Sequence, residues 1–246
     1  MKVISWNIDI CPASDKGYLS QGRVEKILDE IYEQKADVII IQEANDCFAN
    51  KLKIKLGSSY WVCIHEEFKN LKNVKVLVAY KIIEGHINIK LYDKTSGKDF
   101  AYARWIELSY RNIEIVGLHA SLPENKKDTL RIKQKAFWKQ ILDYAAARKE
   151  SENALLIGDF NVYEKTAFSN QPSKAYKDFK LLQDEGWKVL RTKRKNDFSY
   201  CNSGCWDRQL DYALVSPKFK YEYTLEMFRF EKLSDHEMLV VQLDIK

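Results

Sequence analysis

Short apolar runs that stop at a polar or charged residue recur along this chain. Val3-Ile4-Ser5-Trp6-Asn7-Ile8-Asp9 opens it, and Val38-Ile39-Ile40-Ile41 stops at Gln42-Glu43. Ile113-Glu114-Ile115-Val116-Gly117-Leu118 stops at His119, and Leu155-Leu156-Ile157-Gly158 stops at Asp159-Phe160-Asn161. Gln209-Leu210-Asp211-Tyr212-Ala213-Leu214-Val215-Ser216 carries an acid inside such a run, and Leu233-Ser234-Asp235-His236 precedes the last one. Runs of this length bounded by glycine or polar residues read as strands. The predicted strands are 2–8, 37–42, 60–65, 74–81, 87–92, 100–108, 113–118, 154–158, 209–216, 221–229 and 238–245, with turns at Glu84-Gly85 and Ser96-Gly97-Lys98. Val24, Ile27, Leu28 and Ile31 recur at helical spacing and predict a helix over 22–35, after a loop with Pro12 and Gly17. A second helix should run to Leu56, and a long amphipathic one over 126–148 should bury Leu130, Phe137, Ile141 and Leu142. A fourth falls within 173–185.

Strands mixed with helices predict an α/β fold with mixed sheets. With 4 prolines, 9 glycines, no linker and no repeat, residues 1–246 read as one domain. The apolar runs are far shorter than the ~20 residues of a membrane helix, so no membrane partner is expected. The opening residues lack a signal-peptide layout, and 5 cysteines at scattered spacings suit a reducing compartment. A cytoplasmic protein is the expectation. Cys201 and Cys205 flank Asn202-Ser203-Gly204 but have no second Cys/His pair at zinc spacing, so they read as reduced loop thiols. His65 and His86 match no motif.

The net charge of +5 is compatible with a polyanionic substrate without requiring one. Lys51, Lys53 and Lys55, like the lysines of the long helix, read as solvated surface. Lys188, Arg191, Lys193, Arg194 and Lys195 lie between two motif-bearing segments and are candidates for phosphate contact.

Asp159 and Asn161, two apart at a strand end, point the same way if the strand geometry persists. A carboxylate and a carboxamide there suit a hard divalent cation and a water about to attack. Taken in order, the six polar-ended segments resemble the endonuclease/exonuclease/phosphatase superfamily of DNase I-like and exonuclease III-like phosphoesterases. The resemblance implies a four-layer α/β sandwich, two packed mixed sheets flanked by helices, with the site where loops gather at one sheet end. It implies that Glu43, Asn7, Asp9 and Asp235 hold Mg²⁺ or Mn²⁺. It makes Asp159 the group that activates the water, with Asn161 beside it, and His236 the contact to the phosphoryl oxygen, partnered by Asp211. His119 is similar to the histidine of the DNase I-like and sphingomyelinase-like branches.

Each residue also has a plainer reading. Glu43 suits a first helical turn, Ser234-Asp235-His236 a capped loop, and His119 a core histidine. Trp206 suits either base stacking or core packing. The chain departs from the pattern in having Glu237-Met238 where the family commonly has proline, and no glutamate near residues 78–81 to support His119. The late segment 198–212 is closer to exonuclease III-like enzymes than to DNase I. The expected function is a Mg²⁺- or Mn²⁺-dependent phosphodiesterase cutting nucleic acid, DNA in the first instance, as a monomer without a protein partner. The alternatives are a phosphoesterase of the inositol phosphate or sphingomyelin type, or an inactive nucleic-acid-binding module.

Overall fold

The computed structural model describes residues 1–9, 21–63, 75–83, 87–91, 104–120, 128–165, 170–194, 197–202 and 205–244. In chain order the elements are β1 (Lys2–Asn7), α1 (Gln21–Glu33), β2 (Val38–Ala44), α2 (Asp46–Leu56), β3 (Tyr60–Cys63), β4 (Lys75–Lys81), β5 (Asn88–Leu91), β6 (Trp105–Tyr110) and β7 (Ile113–His119). There follow α3 (Asp128–Ala147), β8 (Ala154–Asp159), α4 (Tyr176–Asp184), β9 (Lys188–Val189), β10 (Tyr200–Asn202), β11 (Cys205–Arg208), β12 (Asp211–Val215), β13 (Glu222–Phe228) and β14 (Met238–Asp244).

Strands β13-β14-β1-β2-β4-β3 form one sheet, β5-β6-β7-β8-β12-β9 a second, and β10-β11 a separate ribbon. Both large sheets are mixed: β1 runs parallel to β2 and β7 to β8, while β12 is antiparallel to β8. Three apolar clusters stack as layers. The central one joins the facing surfaces of the sheets, with Val3, Val38 and Val241 from one and Ile115, Ile157 and Ala213 from the other. A second seals α1 and α2 on the first sheet through Ile27, Phe48 and Trp6. The third seals α3 and α4 on the other through Phe137, Phe179 and Phe160. The result is the expected four-layer sandwich.

Strand periodicity explains where polar groups gather. Along the inward face, β1 presents Val3, Ser5 and Asn7, and β2 presents Val38, Ile40 and Gln42. In the other sheet β7 presents Ile113, Ile115, Gly117 and His119, and β8 Leu155, Ile157 and Asp159, while β12, running the other way, presents Val215, Ala213 and Asp211. Each face is apolar at one end and polar at the other. The sheets thus share a greasy centre and, at a single rim, a polar cluster. Buried polar groups need partners, and some here supply one another: Gln42 Nε2 donates to Ser5 Oγ at 2.9 Å.

Several boundaries shift from the sequence expectation. The first helix ends at Glu33 rather than 35, because Lys35 turns to a φ of 50°. The strand expected over 37–42 continues to Ala44, past an irregularity in its pairing with β4. The strand expected to stop at 108 reaches Tyr110, where Arg111 and Asn112, with φ of 48° and 62°, make a tight turn into β7. Positive φ at both central residues matches the right-handed twist of a hairpin, and the absence of glycine hid the turn. Strand β9 and the β10–β11 ribbon were not anticipated. Leu142 packs against the third cluster but is only partly buried. Pro12, Gly17, His65, Glu84-Gly85, His86 and Ser96-Gly97-Lys98 lie outside the described residues, as do the side chains of Leu130, Cys205 and Trp206.

Candidate active site

Asn7 ends β1 and is almost fully buried; its Nδ2 donates to Asp159 Oδ2 at 3.1 Å and to Glu43 Oε1 at 3.2 Å. Asn7 Oδ1 accepts the backbone N–H of Asp9 at 3.1 Å. One carboxamide therefore joins the ends of β1, β2 and β8. Asp159, 1 % exposed, accepts the Asn161 backbone N–H at 2.8 Å on Oδ1 and the Asn161 Nδ2 at 3.2 Å on Oδ2. Asn161 Nδ2 also donates to the Ala120 carbonyl at 2.7 Å, tying this loop to the end of β7. Asp9, Glu43 and Asn161 have φ of 45°, 57° and 51°. Such conformations each cost non-glycine residues roughly 1 kcal/mol. Three of them, at the ends of β1, β2 and β8, aim side chains where the regular pleat would not.

Burial pushes the Asp159 carboxyl up to about 7; His236 opposes the rise and Asp211 adds to it. Its proton affinity thus suits a base working near neutrality. Burial disfavours charge on His236 as well, but the Asp211 carboxylate, 2.8 Å from Nδ1, together with Asp159 and Asp235 outweighs it and lifts the imidazole to about 10. His236 is therefore an imidazolium at neutral pH. Asp211 is held in turn by Ser199, whose Oγ donates to Asp211 Oδ2 at 2.6 Å and accepts the backbone N–H groups of Leu210 and Asp211, each at 3.0 Å. In the sequence Ser199 is only one residue of the late segment 198–212, and a serine between aromatics signals no role of its own.

His119 lies with Nε2 3.6 Å from both Glu43 Oε1 and Asp159 Oδ2. Burial, reinforced by Arg104 and His236, holds it well below the ordinary histidine range, so it is neutral. The carboxylates nearest to it thus come from β2 and β8, not from the region of residues 78–81.

A divalent cation has two candidate places. Asp159, Asp211 and His236 offer ligand atoms within 4.8 Å of one another and could hold a metal. A charged imidazole is no ligand, however, and Asp211 already serves Ser199 and His236. The acidic mouth fits better. Burial, then Asp235 and Glu43, push the Asp9 carboxyl up to about 6, with Arg23 opposing. Asp235 Oδ1 is buried without a hydrogen-bond partner among the described residues. Among them that oxygen has only the His236 Nε2, 3.9 Å away, as an ionic neighbour, and mutually repelling acids of this kind are what a hard cation satisfies. Arg23, also unforeseen, braces this mouth by donating from Nε to Leu233 O at 2.7 Å and from Nη2 to Ile8 O at 2.9 Å.

The basic segment divides. Arg191 and Lys193 are exposed, with Arg191 Nη1 donating to Gln209 Oε1 at 2.7 Å. Arg194 is committed to the fold: Nη1 pairs with the fully buried Glu237 at 2.5 Å and Nη2 donates to Met227 O. Arg229 holds the other oxygen of Glu237 at 2.9 Å. Trp206 sits on β11, and its side chain lies outside the described residues.

This arrangement of sheets is shared by solved structures. The 3′ phosphatase NExo from Neisseria, bound to a product DNA hairpin, superposes with a TM-score of 0.74 at 15% identity, covering 100% of both chains. The AP endonuclease LMAP from Leishmania major gives 0.75 at 15% identity, over 100% of this chain and 88% of that one. An AP endonuclease from Archaeoglobus fulgidus gives 0.67 at 13% identity over 100% of both. At such identities the likeness establishes the fold, that of DNase I-like proteins. No curated protein matches the chain in sequence. The sequence model of the Endonuclease/Exonuclease/phosphatase family does match, over residues 4–236, and the chain belongs to that family of phosphoester hydrolases. No helix among the described residues is long and apolar enough to cross a membrane.

Proposed function

We propose that the chain is a Mg²⁺- or Mn²⁺-dependent phosphodiesterase that hydrolyses nucleic acid, DNA in the first instance. The observation that carries this reading is the pairing of opposites in one buried cluster. A carboxylate with raised proton affinity, Asp159, shares the rim with an imidazolium, His236, kept charged by Asp211. In-line attack on a phosphodiester needs both: a base for the water and a fixed positive charge for the phosphoryl oxygens. Asp159 takes the water's proton, with Asn7 and Asn161 holding its carboxylate in one orientation. His236 donates to a non-bridging oxygen. The neutral His119 contacts the same phosphate. Water attacks phosphorus directly as the bond to the leaving oxygen opposite it breaks, so no covalent enzyme intermediate forms, and the leaving oxygen departs with its electron pair and takes a proton from solvent.

Glu43, Asp9 and Asp235, with Asn7 beside them, would hold the cation, which when bound neutralises charge developing on the phosphoryl oxygens. Arg191 and Lys193 supply contacts to flanking phosphates, and Trp206 a base contact. Arg194 drops out of this set, because its donors serve Glu237 and Met227. The DNA hairpin in the Neisseria phosphatase structure and the two AP endonucleases support DNA as the substrate class. A monomer working in the cytoplasm completes the proposal.

Nicking of supercoiled plasmid in Mg²⁺, Mn²⁺ and EDTA, with Asp159→Ala alongside, tests it. Metal-dependent conversion to open circle, reduced at least ~10²-fold in the variant, is expected for loss of the base. If plasmid, linear duplex, hairpin and RNA all stay intact with metal present, the nucleic-acid reading fails and small phosphoesters become the substrates to try.

A further inference from the structure

Glu237 lies between His236 and the start of β14, and it is fully buried. Arg194 Nη1 pairs with its Oε2 at 2.5 Å and Arg229 Nε with its Oε1 at 2.9 Å, so each carboxylate oxygen has its own guanidinium. The two arginines come from the two sheets. Arg229 follows β13 of the first, whereas Arg194 lies beyond β9 of the second and donates onward to Met227 O on β13.

The backbone of the same residue enters the site. The Glu237 N–H donates to Ser199 O at 2.8 Å, Ser199 Oγ donates to Asp211 Oδ2 at 2.6 Å, and that oxygen lies 2.8 Å from His236 Nδ1. The peptide bond from His236 to Glu237 closes the ring. On its other side the His236 N–H donates to Ser234 Oγ at 3.0 Å, and its carbonyl accepts Trp6 Nε1 at 3.0 Å. His236 thus hangs from a backbone tied at every polar atom, and the Glu237 carboxylate anchors one end of it. Burying a carboxylate costs desolvation that its ion pairs only roughly offset, so an apolar residue of similar size would serve stability about as well. What two guanidinium partners from different sheets add is a single orientation.

Resting on the reading of His236 as the group that faces the phosphoryl oxygen, we propose that Glu237 is a positioning residue. Held by Arg194 and Arg229, it fixes the backbone from which His236 is aimed at Asp211 and at the substrate, and it touches no substrate itself. The competing explanation is that the Arg194–Glu237–Arg229 cluster merely ties the two sheets together.

The test uses the full chain and Glu237→Gln, which keeps the shape and removes the charge, assayed well below the Tm of either protein. With Mn²⁺ and DNA, kcat should fall roughly 10- to 100-fold, the scale of an ångström-sized misplacement, while the KM for DNA stays unchanged. Ring N–H signals of metal-free, ¹⁵N-histidine-labelled protein give a readout independent of turnover. The His236 Nδ1 proton, buried against the Asp211 carboxylate, should be a slowly exchanging low-field signal in the wild type. It should broaden and exchange faster in the variant, with the His119 signals unchanged. Arg194→Gln leaves Arg229 on the carboxylate and carries the test if Glu237→Gln does not fold; it should lower kcat and loosen the His236 signal by less. A phosphate contact from Arg194 would instead raise KM. A lower Tm with kcat and the His236 signal unchanged means that the cluster only ties the sheets, and overturns the inference. So do equal loosening of the His119 signals, a wild type without the low-field signal, a raised KM at unchanged kcat, and failure of both variants to fold. If the wild type cuts no nucleic acid, the functional reading fails, while the resonance comparison still decides whether Glu237 positions His236.

Discussion

Asp211→Asn isolates the charge of His236. The Asp211 carboxylate lies 2.8 Å from His236 Nδ1 and, with smaller help from Asp159 and Asp235, raises its pKa to about 10 against a burial that would lower it. Without that carboxylate the imidazole should titrate well below the wild type, with Asp159 and Asp235 still opposing burial. At pH 8 the wild type is almost wholly protonated, whereas an imidazole returned to its ordinary value of about 6.5 is only ~3 % protonated, a loss of roughly 30-fold in the competent form. The ratio of variant to wild-type kcat/KM should climb back as pH falls from 8 to 6. Stability gives a second readout. A histidine whose folded pKa is raised contributes stability that is fully present below about 6.5 and is lost as pH rises through about 10. Between pH 7 and pH 9 the metal-free wild type should therefore lose roughly 2–3 kcal/mol from this group, and the variant less. Urea denaturation at the two pH values measures it. A variant-to-wild-type activity ratio that is flat from pH 6 to 9 would refute the assignment of His236 as a working imidazolium.

Metal binding should be visible without catalysis. Mn²⁺ should raise the Tm of the wild type, and Glu43→Gln or Asp235→Asn should remove most of that shift; an undiminished shift in both would move the cation to the Asp159, Asp211 and His236 group. The strand ends that carry the site also depend on two glycines. A Cβ at Gly158, where φ is +147°, would lie 2.0 Å from the Leu118 carbonyl oxygen, and backbone cannot step aside. Gly158→Ala should destabilise by at least about 3 kcal/mol in urea. Gly117→Ala meets only the Ile40 side chain, at 2.7 Å, and should cost about 1–2 kcal/mol. A milder effect at Gly158 than at Gly117 would contradict the geometry.

Periodicity and punctuation made much of this protein readable in one dimension. The runs at Val3, Val38, Ile113 and Leu155 are strands because their alternate positions bury against two different layers, and that requirement is written residue by residue. The family could be recognised for the same reason: its motifs are the polar residues that end those runs. The less visible parts arise where structure depends on partners distant in sequence. The Arg111-Asn112 turn has positive φ without glycine, and the β10–β11 ribbon is held by pairing rather than by an apolar face. Arg194 looked like a free cation because nothing near it in sequence reveals the buried Glu237, 43 residues on.

The chemistry divides along the same line. Residue type and order nominated Asp159, Asp211 and His236, since a carboxylate or imidazole is what it is in any fold. Their protonation states came only with folding. Burial makes Asp159 a base near neutrality, the 2.8 Å contact to Asp211 keeps His236 charged, and desolvation holds His119 neutral. These are effects of distance and dielectric, which depend on which strand ends meet at the rim. Asn7, 152 residues from the Asp159 oxygen it touches, is where the two halves of that rim are joined.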